Sequence, residues 1–265
     1  RYKIVTLVNS FHGRTVTTLK ATGQDRFHNY FFPFTEGFDY AAANDFDSVR
    51  HKADEMTCAV MMELVQGEGG VLPLEKEFVQ QVEAFCRERD ILLIIDEVQT
   101  GIGRTGSLFC FQQYGIRPDV VTMAKGLGGG VPIGAVLAAE SCSNVLTPGT
   151  HATTFGGTPL VCAAANAVLD TVGDGQFLAQ VKEKGEYLKN GILSIGSPNI
   201  LGVRGMGLML GIIVEDGKHA AYANKLIEKG VLALTAGKNA VRLLPPLTIS
   251  KEEMDEALTI MKEVF

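Results

Sequence analysis

Apolar and polar positions follow two rhythms along this chain. Short apolar runs of strand length fall at 3–8 (KIVTLV), 58–64 (CAVMMEL), 91–96 (ILLIID), 119–125 (DVVTMAK) and 133–139 (IGAVLAA). Several are apolar at odd and even positions alike, as in a sheet covered on both faces. Residues 74–90 repeat at helical spacing instead: Phe78, Val82 and Phe85 form one stripe and the charges lie opposite. A second helix is predicted over 158–174, with Thr158 as N-cap and Pro159 at the first helical position. It resumes after a break at Gly173-Asp174-Gly175. From about 177 the order becomes strand, helix, strands, helix. The pattern predicts an α/β protein with a mostly parallel sheet in a large domain over 1–176, followed by a small α+β domain over 177–265.

Composition narrows the function classes. The 265 residues are 46% hydrophobic and 20% charged, which suits an ordinary globular protein with a sizeable core. A net charge of -6 gives no electrostatic footprint for nucleic acid. No apolar run reaches the ~20 residues that cross a bilayer, and the first residues lack the pattern of a secretory signal. Five scattered cysteines (Cys58, Cys86, Cys110, Cys142, Cys162) never fall in C-x-x-C spacing, which points to a reducing compartment without a disulfide framework. The histidines are equally dispersed, and no metal is expected. The chain opens on Arg and enters a strand at once, so it is expected to be part of a longer polypeptide.

Strand after strand in the first half runs into a polar or glycine-rich segment: NSFHGRT, ELVQGEGG, DEVQTG and AKGLGGG. In an open parallel sheet, ligands bind at the carboxyl edge of the strands, so these four segments describe one crevice. The segment GIGRTG (101–106) has the form G-x-G-x-x-G, but Glu97-Val98-Gln99-Thr100 separate it from the strand that ends in Asp96. The next strand also carries its acid, Asp119, at its start rather than its end. A dinucleotide loop fails on both counts, and an irregular loop is expected. Asp96 and Lys125 end neighbouring strands. A carboxylate beside an amine suits pyridoxal phosphate, whose aldehyde bonds a lysine and whose ring nitrogen needs a carboxylate to stay protonated. An exposed lysine in a glycine loop is the plainer alternative.

These residues resemble the class III aminotransferases of the PLP-dependent fold type I, and within them the acetylornithine-type branch. The resemblance runs along the whole chain through NSFHGRT, QGEGG, LLIIDEVQTGIGRTG, PDVVTMAKGLGGGVPIGA, HATTFGGTPL, VRGMGLMLG and VRLLPPLTIS. It implies that Lys125 is the Schiff-base lysine and proton shuttle, and that Asp96 pairs with the ring nitrogen. Gln99 would bond the phenolic oxygen and Phe11 would stack on the ring. Thr154, with Thr153 as the fallback, would reach the phosphate of the other subunit of a homodimer. Arg242 would grip the α-carboxylate of glutamate or 2-oxoglutarate, and Arg14 the other carboxylate. Glu68 would neutralise Arg242 while an ω-amino donor is bound and release it for glutamate. Glu63 is expected near Gln99 in a supporting role, and His12 is expected to be structural.

The activity implied is transamination of N2-acetylornithine with 2-oxoglutarate, giving N-acetylglutamate 5-semialdehyde and glutamate, in cytoplasmic arginine biosynthesis. The alternatives are another ω-aminotransferase of the family (for ornithine, succinyldiaminopimelate, succinylornithine or 4-aminobutyrate) and an inactive fragment of such an enzyme. Two departures stand out. Leu64 takes a place where the family often has proline. A phosphate-binding, helix-opening segment of the family would precede Arg1, so the chain is expected to be N-terminally incomplete.

Overall fold

The computed structural model describes residues 1–265. In chain order the elements are β1 (Lys3–Leu7), α1 (Val16–Ala21), β2 (Phe38–Ala41), α2 (Phe46–Lys52), β3 (Thr57–Met62), β4 (Val65–Gln66), β5 (Leu72–Pro73), α3 (Lys76–Glu88), β6 (Leu92–Asp96) and α4 (Phe111–Tyr114). There follow β7 (Val120–Met123), β8 (Ala135–Ala138), α5 (Pro159–Val172), α6 (Gly175–Ser194), β9 (Gly202–Met206), β10 (Met209–Ile213), α7 (His219–Glu228), β11 (Leu234–Ala236), β12 (Ala240–Leu243) and α8 (Lys251–Val264). The apolar runs 3–8, 58–64, 91–96, 119–125 and 133–139 each hold a strand.

The first sheet has the order β2-β1-β3-β6-β7-β8. Its first five strands are parallel and β8 closes the edge antiparallel to β7. On one face Val5, Leu7, Val60, Met62, Leu93 and Ile95 are sealed from solvent, while on the other Ile4, Met61, Leu92 and Ile94 are apolar but only partly covered. Helix α3 covers this sheet through Phe78, Val79, Val82, Phe85 and Cys86, a stripe at helical spacing. The expectation of two covered faces fails at β8, where Val136 and Leu137 are 62% and 51% exposed. Thr158 and Pro159 do open α5, although the threonine hydroxyl makes no cap bond.

The second sheet is antiparallel, in the order β11-β12-β10-β9. Its own core gathers Val181, Leu188 and Ile192 of α6, Leu226 of α7, and Met254 and Met261 of α8. Three fastenings join the two sheets. Arg104, in the GIGRTG segment, donates to the carbonyls of Leu208 (3.0 Å) and Pro245 (2.6 Å). That segment is a run of turns, as expected, and it does not open a helix: the four-residue α4 begins only at Phe111. The β4–β5 hairpin lies over β9, and the buried Tyr114 hydroxyl reaches the carbonyls of Leu64 (3.1 Å) and Leu74 (2.9 Å) at its base. Finally, the Gly237 N–H donates to the Glu68 carbonyl at 2.9 Å.

Candidate active site

Parallel strands deliver their carboxyl ends to one edge, and the loops after β1, β3, β6 and β7 meet there. Asp96 ends β6 and is 5% exposed. Its Oδ2 lies 2.8 Å from His12 Nδ1, while its Oδ1 accepts from the Val98 N–H at 3.0 Å and the Thr122 hydroxyl at 3.1 Å. Thr122 stands directly across the β6–β7 register from it. These bonds hold the carboxylate in one orientation. Two oxygens offer about four acceptor positions, so one more donor can still be taken.

Lys125 follows β7 in the left-handed backbone region, at φ +45°. That region is costly for a residue with a side chain and marks positions where placement outweighs comfort. Lys125 is exposed and lines a pocket with Val98 and Gln99. The protein crowded behind the amine lowers its pKa, with Arg242 acting the same way and Glu63, Glu68 and Asp96 opposing.

Glu63 comes directly after β3 and is buried. Its Oε2 accepts from the Phe11 N–H at 2.8 Å, and Oε1 has no partner. Burial pushes its pKa up to about 7. Asp96 pushes the same way, and His12 and the Phe11 and Gly67 N–H groups push against it. Glu63 thus holds the loop after β1. The side chain that bonds Gln99 is Arg242, whose Nη1 donates to Gln99 Oε1 at 3.3 Å. With its oxygen so engaged, Gln99 keeps its amide NH2 as a donor.

Arg242, on β12, is 6% exposed and forms an ion pair with Glu68 at 2.8 Å. Its Nε is buried without a partner. A guanidinium presents a planar fork of donors, so this one retains capacity for a carboxylate. Phe11 stands half-buried, edge-on to Phe27 with ring centroids 5.5 Å apart. The exposed Arg14 lays its guanidinium over both rings, 4.3 Å from the Phe27 centroid and 5.3 Å from that of Phe11. Thr153 and Thr154 lie on an exposed stretch before α5, away from this cluster in the single chain.

The comparisons with known proteins bear on this arrangement. The family model described as aminotransferase class-III matches residues 1–265. The chain belongs to the class-III aminotransferases. The acetylornithine aminotransferase of Haemophilus ducreyi is 47% identical over 267 residues, which is all of this chain and 67% of that protein. That of Aquifex aeolicus is 47% identical over 266 residues, 69% of its length. Among solved structures, an ornithine aminotransferase from Toxoplasma gondii superimposes with a TM-score of 0.93 at 32% identity, covering 99% of this chain and 63% of that one. An N-acetylornithine aminotransferase from Stenotrophomonas maltophilia gives 0.82 at 34% identity, covering 99% and 65%. The chain thus spans about two thirds of the length of the relatives it matches.

Within this class-III aminotransferase, sequence reasoning passed over several residues. His12 was expected to be structural, yet it is the partner of Asp96, and its Nε2 is buried without a partner of its own. Its place next to Phe11 was the available signal. Thr122 carried a weaker one, since it stands three residues before Lys125 on the neighbouring strand. Glu97, buried next to Asp96, accepts from the Thr100 hydroxyl and the Phe111 N–H, and so holds the loop that presents Gln99.

Proposed function

We propose that this chain carries the catalytic centre of an acetylornithine-type aminotransferase. It would move the terminal amino group of N2-acetylornithine to 2-oxoglutarate, with pyridoxal phosphate as cofactor. The observation that carries the reading is the pairing of Lys125 and Asp96 at the ends of adjacent strands. Opposite them, a buried arginine is half-neutralised by Glu68.

The residues present fit the cofactor. Asp96 has one acceptor position left, Lys125 has an amine of lowered pKa, and Phe11 offers a flat face at the same edge. Lys125 would bond the cofactor aldehyde, Asp96 would hold the ring nitrogen protonated and Gln99 would donate to the phenolic oxygen. When bound, the cofactor supplies an electron sink that makes the substrate α-proton or ω-proton removable. Lys125 then takes that proton, and its lowered pKa favours the neutral amine that can do so. His12 and Thr122 keep the Asp96 carboxylate aimed. Arg242, freed from Glu68, grips the α-carboxylate of glutamate. With Glu68 on it, the same position presents a neutral pair to an ω-amino donor. Arg14 takes the carboxylate at the donor's far end.

We further propose a large domain over 1–176 and a small one over 177–265, supported by the separate core that α6 forms with β9, β10 and α8. A homodimer is the natural cover for the exposed apolar side chains of this stretch: Val136, Leu137, Val145, Leu146, Phe155 and Leu160 are all exposed, and Thr154 falls among them in the sequence. The pathway assignment, arginine biosynthesis in the cytoplasm, follows from the substrate.

The test is the visible absorption of the protein mixed with pyridoxal phosphate, before and after addition of N-acetylornithine. A yellow band that bleaches with the donor is expected, and its loss in Lys125→Ala. A band that persists in that variant would remove the central assignment.

A further inference from the structure

Arg204 is a second arginine on the sheet that carries Arg242, and the reading above gives it no role. In register, Arg204 on β9 and Arg242 on β12 both face Gly211 of β10, so the two arginines lie in one row across three strands with a glycine between them. Residues opposite one another in an antiparallel ladder project from the same face. The loop 67–71 lies over this row. Val71 packs on Gly211, where an added Cβ would meet the valine Cβ at 3.0 Å. Arg242 takes that loop's side chain, with Nη1 2.8 Å from Glu68 Oε1. Arg204 takes its backbone instead: Nε donates to the Gly70 carbonyl at 2.8 Å, and Nη2 reaches Asn239 Oδ1 at 3.4 Å. Gly70 itself has φ +121°, and a Cβ there would come within 2.8 Å of the Arg204 guanidinium.

We propose that Arg204 is a positioning residue for substrate discrimination: it pins the backbone of the Glu68 loop so that the Glu68 side chain alone moves on and off Arg242. The proposal rests on the reading of Arg242 and Glu68 given above. The Gly237 N–H anchors the Glu68 carbonyl at 2.9 Å and Arg204 adds the anchor at Gly70; with the second anchor gone, the loop would shift whenever glutamate displaced the Glu68 side chain and would have to be reordered at every turnover. With Arg204 bonded to Gly70, two residues from Glu68, the loop stays seated in both half-reactions. The neutral pair needed by the ω-amino donor then re-forms by a side-chain rotation.

The expected consequence is selective. Arg204→Met, in the protein loaded with pyridoxal phosphate, should lower kcat/KM for the N-acetylornithine half-reaction about tenfold, the worth of one charge-assisted hydrogen bond. The glutamate half-reaction should change by less than about twofold, because it uses Arg242 with Glu68 withdrawn. Arg204→Lys, which keeps a donor but not the fork, should recover to within about threefold of the parent. On a Glu68→Ala background, Arg204→Met should no longer alter the ratio of the two half-reactions, since the group it positions is gone. Arg204→Gln, read by the same criterion, serves if the methionine variant does not fold. Equal losses in both half-reactions, no change in either, or a full tenfold effect without Glu68 would each overturn the proposal. Arg242→Ala run alongside tests the underlying reading. A loss confined to the glutamate half upholds that reading, whereas equal losses overturn it whatever Arg204 does.

Discussion

Glu63→Gln isolates what it costs to keep a carboxylate in the floor of this site. Burial raises its pKa from 4.5 to about 7. Below pH 4.5 the group is protonated in both the folded and the unfolded chain and costs nothing as a charge. As pH rises toward 7, the unfolded chain loses this proton while the folded chain keeps it. Stability therefore falls across that window and levels off above it. A gap of about 2.5 at about 1.4 kcal/mol per pH unit sets the full effect at about 3 kcal/mol. Glutamine mimics the neutral acid: its amide oxygen can still accept from the Phe11 N–H, and it does not titrate. Urea unfolding of the cofactor-free protein and of the variant, from pH 4.5 to 8.5, measures the difference directly, and the other titrating groups cancel in it. The variant should match the parent at the acid end and exceed it by up to about 3 kcal/mol above pH 7. A difference that stays flat with pH, or a parent that gains on the variant as pH rises, would refute the assignment of a buried, reluctantly ionised Glu63.

Asp96→Asn should retain cofactor but lose most of its turnover, because an amide cannot keep a ring nitrogen protonated; parental rates in a steady-state assay would rule out the role given to Asp96. Tyr114→Phe removes a buried hydroxyl that serves the Leu64 and Leu74 carbonyls, and should cost about 1–2 kcal/mol in chemical denaturation with little change in KM. Leu137→Asp, on the exposed face of β8, should turn a dimer into monomers in sedimentation velocity while leaving the far-ultraviolet circular dichroism intact. An unchanged sedimentation coefficient would place the subunit contact elsewhere.

Local rules carried much of this structure. The strand holding Ile95 and the helix stripe of Phe78, Val82 and Phe85 are visible because burial on two faces or on one leaves different periods in the chain. Asp96 and Lys125 stood out for a related reason: a charge at the end of an apolar run breaks the pattern that surrounds it. β2 and α2 were passed over. Phe38–Ala41 is half-buried over most of its length and lies at the edge of the sheet, so its composition carries little contrast. The antiparallel sense of β8 was also invisible, since direction within a sheet is set by the connection and leaves no mark on a four-residue run.

What the sequence withheld at the site was mostly partnership across distance. His12 meets Asp96 across 84 residues, and Arg242 meets Glu68 across 174. No spacing rule links such positions, and only the stacking of strand ends creates them. The same geometry explains why Glu68 and Arg242 meet where the two sheets join. Glu68 belongs to the first body of the fold and Arg242 to the second, so their ion pair is as precise as the seam between them. Arg104 and Arg204 each tie that seam through backbone carbonyls on its far side, whose positions are set by the main chain. A switch that works by moving one carboxylate away from one guanidinium needs everything around it to stay still. The carbonyl-directed bonds supply that stillness, and they engage the Arg104 and Arg204 guanidinium groups with main-chain acceptors.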